Sequence, residues 1–67
     1  MSTRQDAVLD ALRQNGPCTI MEISELTGRK ANDIGIALNV LSRHGFVRVV
    51  GTRLQTKRMV NIWGLVE

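Results

Sequence analysis

The chain has 67 residues, 43% of them apolar, and a formal net charge of +3, which suits one small domain with a modest hydrophobic core. Its single cysteine, Cys18, excludes an internal disulfide and fits a reducing compartment. No apolar run approaches the roughly 18 residues that a membrane span needs, and no leader pattern opens the chain, so we expect a cytoplasmic protein with no membrane partner.

The first predicted helix covers about residues 3–15. Ser2 or Thr3 can cap its start, and Asp6 in the first turn suits the positive end of the helix dipole. The Gly16-Pro17 pair ends the helix, because glycine accepts a left-handed conformation and proline cannot continue a helix.

The second predicted helix covers about residues 20–27 and follows a short extended link. Thr19 and Glu22 have the spacing of a capping box, in which each side chain accepts a hydrogen bond from the other residue's backbone N–H. Gly28 ends the helix. We expect its buried side to consist of Ile20, Ile23 and Leu26.

The third predicted helix covers about residues 30–43 and ends at Gly45. A period of 3.6 residues places one apolar set on its core face: Ala31, Ile34, Ala37, Leu38 and Leu41. The opposite face collects Asn32, Ile36, Asn39, Val40 and Arg43. Amides, a cation and aliphatic groups that point outward at helical spacing could read the edges of bases.

After Gly45 the period changes from 3.6 towards 2. Two β-branched segments, at about residues 46–50 and 59–63, predict antiparallel strands. The basic segment 51–58 between them is longer than a two-residue hairpin turn, so we expect a mobile loop there. Gly64 is expected to break the second strand.

Charge is distributed unevenly along the sequence. Residues 1–28 carry two cations and four acids, whereas residues 29–66 carry seven cations and one acid, Asp33. Such an asymmetry indicates an oriented polyanion-binding surface. The alternative is a set of solvated basic loops without a partner.

Two stretches carry a resemblance to a known family. Residues 16–20 (Gly-Pro-Cys-Thr-Ile) lead into residues 22–28 (Glu-Ile-Ser-Glu-Leu-Thr-Gly), and Leu38 and Leu41 precede Gly-Phe-Val at residues 45–47. From about residue 6 to residue 65 the chain resembles the winged helix-turn-helix family. The resemblance implies an α+β fold in a single domain over residues 1–67, with three helices followed by a two-stranded antiparallel β-hairpin, the wing.

The same resemblance implies that the protein binds double-stranded DNA. The third helix would enter the major groove, and the wing would touch the neighbouring backbone or minor groove. The residues expected to bind DNA are Arg29, Lys30, Asn32, Ile36, Asn39, Arg43, Arg53, Lys57 and Arg58, with Ala31 also near the bases. We expect a small transcriptional regulator or DNA-associated accessory factor that acts as a homodimer, on the nucleoid if the source is bacterial or phage.

Other interpretations stay open at this point. Ile36 and Val40 put apolar surface on the presumed reading face, which is also what a protein-interaction module presents, and RNA is a third candidate partner. Asn32 could merely cap the third helix. Trp63 could stack on a base or sugar, or simply anchor the hairpin to the core.

The sequence offers little for catalysis. His44 and Cys18 are the only residues of their types, their spacing matches no nucleophile–base pair, and no glycine-rich phosphate loop is present. A metal site would need more imidazole or thiolate ligands. We therefore expect neither an enzyme nor a cofactor.

Overall fold

The structure, a computed structural model, describes residues 3–66. The elements in chain order are α1 (Thr3–Asn15), β1 (Cys18–Thr19), α2 (Ile20–Thr27), α3 (Ala31–Arg43), β2 (Val47–Gln55) and β3 (Arg58–Leu65). Three helices and one antiparallel sheet confirm the α+β class. None of the helices within residues 3–66 is long and apolar enough to cross a membrane. Ser2, one of the two predicted caps of α1, lies outside the described residues.

The hydrophobic core lies where the three helices meet the base of the sheet. Its buried members are Val8, Leu9, Ala11, Leu12, Cys18, Ile23, Ile34, Ala37, Leu38, Leu41 and Val47. The expectation that Leu26 is buried is wrong, because 53% of its surface is exposed. The short helix α2 contributes one fully buried side chain, Ile23.

The start of α2 has the capping box that the sequence predicts. The Thr19 hydroxyl accepts a hydrogen bond from the Glu22 N–H at 3.2 Å, and the Glu22 carboxylate accepts one from the Thr19 N–H at 2.9 Å. At the other end, Gly28 adopts a left-handed φ of 70° and its N–H donates to the Ser24 carbonyl at 2.9 Å. Both ends of this short helix are therefore fixed by local hydrogen bonds.

Two backbone hydrogen bonds and a left-handed glycine end α3. The Gly45 N–H donates to the Ser42 carbonyl at 3.1 Å, and the Phe46 N–H donates to the Leu41 carbonyl at 2.9 Å. This pair of bonds is the Schellman motif, which needs a left-handed residue, and Gly45 has a φ of 80°. The turn sends the chain directly into β2.

The sheet has three strands in the order β1-β3-β2, so the two-stranded arrangement expected from the sequence is wrong. The predicted extended link is itself a strand, in which Cys18 pairs with Trp63 and Thr19 pairs with Ile62. Pro17 comes immediately before it and favours an extended start. Because β1 leads directly into α2, this pairing attaches the helices to the hairpin.

The predicted loop 51–58 is also wrong, because β2 continues to Gln55 and β3 begins at Arg58. Only Thr56 and Lys57 form the turn, with φ angles of 50° and 62°. Positive φ at both central residues is the pattern of a type I′ hairpin turn, whose twist matches that of paired strands. Apart from Phe46, which precedes β2, the predicted strands 46–50 and 59–63 are thus parts of a longer hairpin.

An irregularity in β2 lies near the base of the hairpin. Val49 pairs with Trp63 and Gly51 pairs with Ile62, which leaves Val50 as the extra residue of a β-bulge. The expectation that Gly64 ends the second strand is wrong, since it lies inside β3. A Cβ atom on Gly64 would sit 3.1 Å from a methyl carbon of Val50, so glycine lets the bulge pack closely there.

Candidate functional site

The outward face of α3 carries the side chains that the helical period predicts. Asn32, Ile36, Asn39 and Arg43 are exposed, and Val40 is half-buried. Ile36 has 46% of its surface exposed although it is a large aliphatic residue. On the other side of the helix, Ile34, Ala37, Leu38 and Leu41 are buried. The helix therefore presents amides, a cation and an aliphatic group to the outside on a rigid, core-anchored support.

The start of α3 differs from that of α2. Lys30 occupies the N-cap position and its side chain makes no capping hydrogen bond, which removes the alternative that Asn32 merely caps this helix. The first N–H groups of a helix and the positive end of its dipole attract anions when no side chain covers them. Asp33 in the first turn is half-buried, while Lys30 is exposed.

The turn between α2 and α3 is held by side-chain hydroxyls. The Ser24 hydroxyl donates to the Arg29 carbonyl, and the Thr27 hydroxyl donates to the Ile23 carbonyl at 2.8 Å. The Arg29 N–H in turn donates to the Thr27 hydroxyl at 3.3 Å. These bonds fix the short connection and therefore the angle at which α3 leaves α2.

The hairpin has two chemically different faces. Because side chains alternate along a strand and cross-strand partners share a face, Leu54 and its partner Met59 lie on the same face as Trp63, which packs against the core. Arg53 and Arg58 lie on the other face. The apolar pair and the two arginines thus project from opposite sides of the same two strands.

Arg53 is already engaged within the protein. Its guanidinium lies 3.4 Å from the carboxylate of Glu22, with 49% and 41% of the two side chains exposed. The pKa of Glu22 is lowered, first by the hydrogen bond from the Thr19 N–H and further by the positive charge of Arg53. A phosphate that binds Arg53 must therefore compete with Glu22.

Cys18 is a buried thiol that forms a hydrogen bond within the chain. Burial raises the pKa of the Cys18 thiol, with Glu22 adding to the shift, and the thiol donates to the Gly16 carbonyl at 3.2 Å. A buried, protonated thiol is a poor nucleophile. Among residues 3–66, no three His, Cys, Asp or Glu side chains are grouped so that they could hold a metal ion.

Solved proteins that share little sequence with the chain have the same architecture. A MarR family regulator from Neisseria meningitidis has a TM-score of 0.82 at 21% identity, over 100% of this chain and 46% of that one. The Zalpha domain of Carassius auratus PKZ, in complex with Z-DNA, has a TM-score of 0.73 at 22% identity, over 94% of this chain and 92% of that one. Both are winged-helix domains. The chain has the winged helix-turn-helix fold.

A third similar structure is a protein of the Sulfolobus islandicus plasmid-virus pSSVx, with a TM-score of 0.79 at 22% identity, over 96% of this chain and 82% of that one. No protein-family model matches the chain, and no curated protein matches its sequence. Likeness at this level concerns the fold and not the chemistry of a site. In the terms of the fold, α2, its turn and α3 are the helix-turn-helix, and the wing is the β2–β3 hairpin, which β1 extends to a three-stranded sheet.

The predicted site residues lie on α3, in the turn before it and on the wing. Lys30, Asn32, Ile36, Asn39 and Arg43 are exposed along α3 or at its start, and Arg29 in the preceding turn is half-buried. Lys57 and Arg58 are exposed at the end of the wing, whereas Arg53 bends back to Glu22. Their role in DNA binding stays a prediction.

Sequence reasoning missed the apolar pair on the wing and the partner of Arg53. Leu54 is 69% exposed and Met59 is 63% exposed, yet a loop assignment over residues 51–58 hides that they face each other. A two-residue turn at Thr56 and Lys57 would have revealed the pair, but these residues lack the Asn-Gly signal of such turns. Trp63, as the anchoring interpretation predicts, packs against the core.

Proposed function

We propose that this winged helix binds duplex DNA, with α3 in the major groove and the wing on the neighbouring backbone. The observation that carries the proposal is the outward face of α3. There Asn32, Asn39 and Arg43 are exposed on a helix whose opposite face forms the core. An Asn amide can form a bidentate pair with adenine, and an exposed aliphatic group such as Ile36 can contact a thymine methyl.

The charge distribution supports the same partner. Residues 34–66 contain five cations and no Asp or Glu: Arg43, Arg48, Arg53, Lys57 and Arg58. Cations that neutralise phosphates release counterions, which supplies most of the sequence-independent affinity for DNA. The uncapped start of α3, with Lys30 beside it, offers a further place for a phosphate.

We infer that the protein acts as a small transcriptional regulator or accessory factor in the cytoplasm. The Carassius domain is described in complex with Z-DNA and the Neisseria protein is described as a regulator, which supports a nucleic-acid partner for this fold. One small domain makes few base contacts, so a homodimer on half-sites about 34–36 Å apart is the arrangement that would give useful specificity.

A fluorescence-anisotropy titration tests the proposal. The protein should bind a random-sequence duplex, and affinity should fall as salt rises. The Lys57→Ala, Arg58→Ala double variant should bind all sequences more weakly and lower the salt slope by up to about one unit per lost phosphate contact. Arg13→Ala is the matched control, because Arg13 on α1 pairs with Asp10 at 3.2 Å. No binding by the unaltered protein at low salt would refute the proposal.

The reading of bases is tested separately. Asn39→Ala should reduce the preference among duplex sequences, selected from a random pool, more than it reduces affinity for bulk DNA, because it removes a base contact and leaves the phosphate contacts in place. Asn61→Ala, an exposed amide on β3, provides the comparison. Equal losses of affinity for every sequence would argue against Asn39 as a reader.

The exposure of Ile36 favours a second candidate, a protein-interaction module. On that hypothesis Ile36, together with half-buried Val40, would contact an apolar surface of another protein. Ile36→Asp should then abolish a complex isolated by pull-down, while DNA affinity stays negligible at physiological salt. Retention of the partner by the variant would remove this candidate.

A further inference from the structure

The end of the wing carries the two most exposed large apolar side chains among residues 3–66. Leu54 is 69% exposed and Met59 is 63% exposed. Single exposed apolar residues are ordinary on protein surfaces. These two are direct cross-strand partners, however, so they stand side by side on one face of the hairpin. We call this pair the apolar tip.

The apolar tip is held on a stiff support. The strands are paired up to Gln55 and Arg58, and the turn has only two residues. A paired hairpin with a tight turn projects its side chains in fixed directions and loses little conformational freedom when it binds. A mobile loop, in contrast, would lose much of that freedom on binding.

All charged side chains near the end of the wing are cations, although Arg58 projects from the face opposite the apolar tip. Lys57 is in the turn, Arg58 follows it, and the whole wing contains no acidic residue. An apolar partner protein would have to accept these cations, whereas a polyanion with an apolar interior matches both features. Duplex DNA has that combination, because stacked bases lie between two rows of phosphates.

We propose that Leu54 and Met59 form a wedge that enters the minor groove and partly unstacks one base step, which bends the duplex. The proposal rests on the proposed DNA-binding function. Leucine and methionine are among the side chains that proteins insert between base pairs in this way. Lys57 in the turn and Arg58 on the opposite face of the wing would hold the flanking phosphates while the wedge opens the step.

The wedge predicts a preference that base reading by α3 does not. Pyrimidine–purine steps such as TA unstack and kink most easily, whereas A-tracts resist deformation. Binding should therefore be tighter, and bending greater, on a duplex with a central TA step than on one with an A-tract at the same place.

The experiment uses two duplexes of this kind with a fluorescent dye at each end, so that energy transfer reports bending. The unaltered protein should increase energy transfer on the TA duplex. The Leu54→Thr, Met59→Thr double variant keeps β-forming residues but should lose the increase and about tenfold in affinity for that duplex. Its salt slope should be unchanged because every cation remains.

Two control variants separate the wedge from a damaged wing. Leu54→Ile with Met59→Leu keeps the tip apolar and should still bend the duplex. Met21→Gln removes an apolar side chain that is 52% exposed at the start of α2 and should leave bending unchanged. If the threonine variant bends the TA duplex as well as the unaltered protein, the wedge is refuted while DNA binding stands.

If the apolar tip binds a partner other than DNA, the threonine variant should behave differently. If the threonine substitutions change the sedimentation mass and leave bending unaltered, the tip joins two copies of the chain. If they abolish binding to vesicles of anionic lipid and leave bending unaltered, the tip meets a membrane surface. Either result overturns the wedge. Failure of the unaltered protein to bind either duplex would instead refute the proposed function itself.

Discussion

The two helices of the helix-turn-helix begin in opposite ways. At the start of α2, Thr19 and Glu22 cap each other's backbone groups, and Arg53 from the wing adds an ion pair. At the start of α3, Lys30 provides a positive charge and no capping hydrogen bond. Side chains of the protein therefore cap the N-terminus of α2, whereas the N-terminus of α3 has no side-chain cap and can interact with solvent or with an anion. The capping box of α2 also contacts the wing, through the ion pair between Glu22 and Arg53.

A substitution in the capped N-terminus of α2 should have the largest effect on stability. Thr19→Ala removes the hydroxyl that accepts from the Glu22 N–H, and Thr19 is only 1% exposed. Loss of such a cap typically lowers the free energy of unfolding by about 1 kcal/mol, and by up to about 2 kcal/mol. Urea unfolding measures it. Thr19→Ser keeps the hydroxyl and should lose clearly less; an equal loss would mean that packing, and not capping, accounts for the effect.

A substitution that caps the N-terminus of α3 should instead raise the stability. Lys30→Asp supplies the missing acceptor and suits the helix dipole, so the free energy of unfolding should rise by about 0.5–1 kcal/mol. The same change should weaken DNA binding, because it replaces a cation with an anion at the proposed phosphate site. Lys30→Gln separates the two effects, since it removes the charge without placing a carboxylate there. Unchanged DNA affinity in Lys30→Asp would remove the start of α3 from the interface.

The smallest effect concerns the charge of Glu22. Because its pKa is lowered from the usual 4.5 in the folded protein, Glu22 stabilises the fold above the pKa of the unfolded chain. That contribution is lost as the pH falls through the lower, folded-state pKa. Glu22→Gln should make the loss of stability on acidification shallower, as thermal melts between pH 6 and about pH 3 would show.

Arg53→Ala probes the same contact from the other side. It should change stability at neutral pH by no more than about 0.5 kcal/mol, because both partners are partly exposed. If Arg53 binds no phosphate, its removal should leave the salt slope of DNA binding unchanged. A pH profile for Glu22→Gln that matches the unaltered protein would show that the capping bond holds without the charge.

The helices could be predicted because their signals are local. Thr19 and Glu22 are three residues apart, and Gly28 and Gly45 each mark the end of the helix that precedes them. The sheet could not be predicted to the same extent, since the pairing of Cys18 with Trp63 joins distant parts of the chain. The turn at Thr56 and Lys57 also lacks glycine, so nothing nearby reveals how far the strands extend.

The candidate site also contains parts that the sequence predicts and parts that it does not. The outward face of α3 follows from helical period alone, and the structure exposes Asn32, Ile36, Asn39 and Arg43. The contact between Arg53 and Glu22 depends on how the wing lies against α2, which no sequence period reports. Local patterns thus give the composition of a surface, whereas the three-dimensional fold decides which of its charges are already neutralised.

The bulge at Val50 influences the direction in which the wing projects. A bulge bends a strand and increases its twist, and here it lies near the base of the hairpin, where a Cβ atom on Gly64 would come within 3.1 Å of a Val50 methyl carbon. A small change in backbone direction at this bulge would produce a larger displacement at the far end of the wing. If the proposed DNA-binding function holds, Gly64→Ala would displace Lys57 relative to α3 and so change the distance between the contacts of α3 and those of the wing on the duplex.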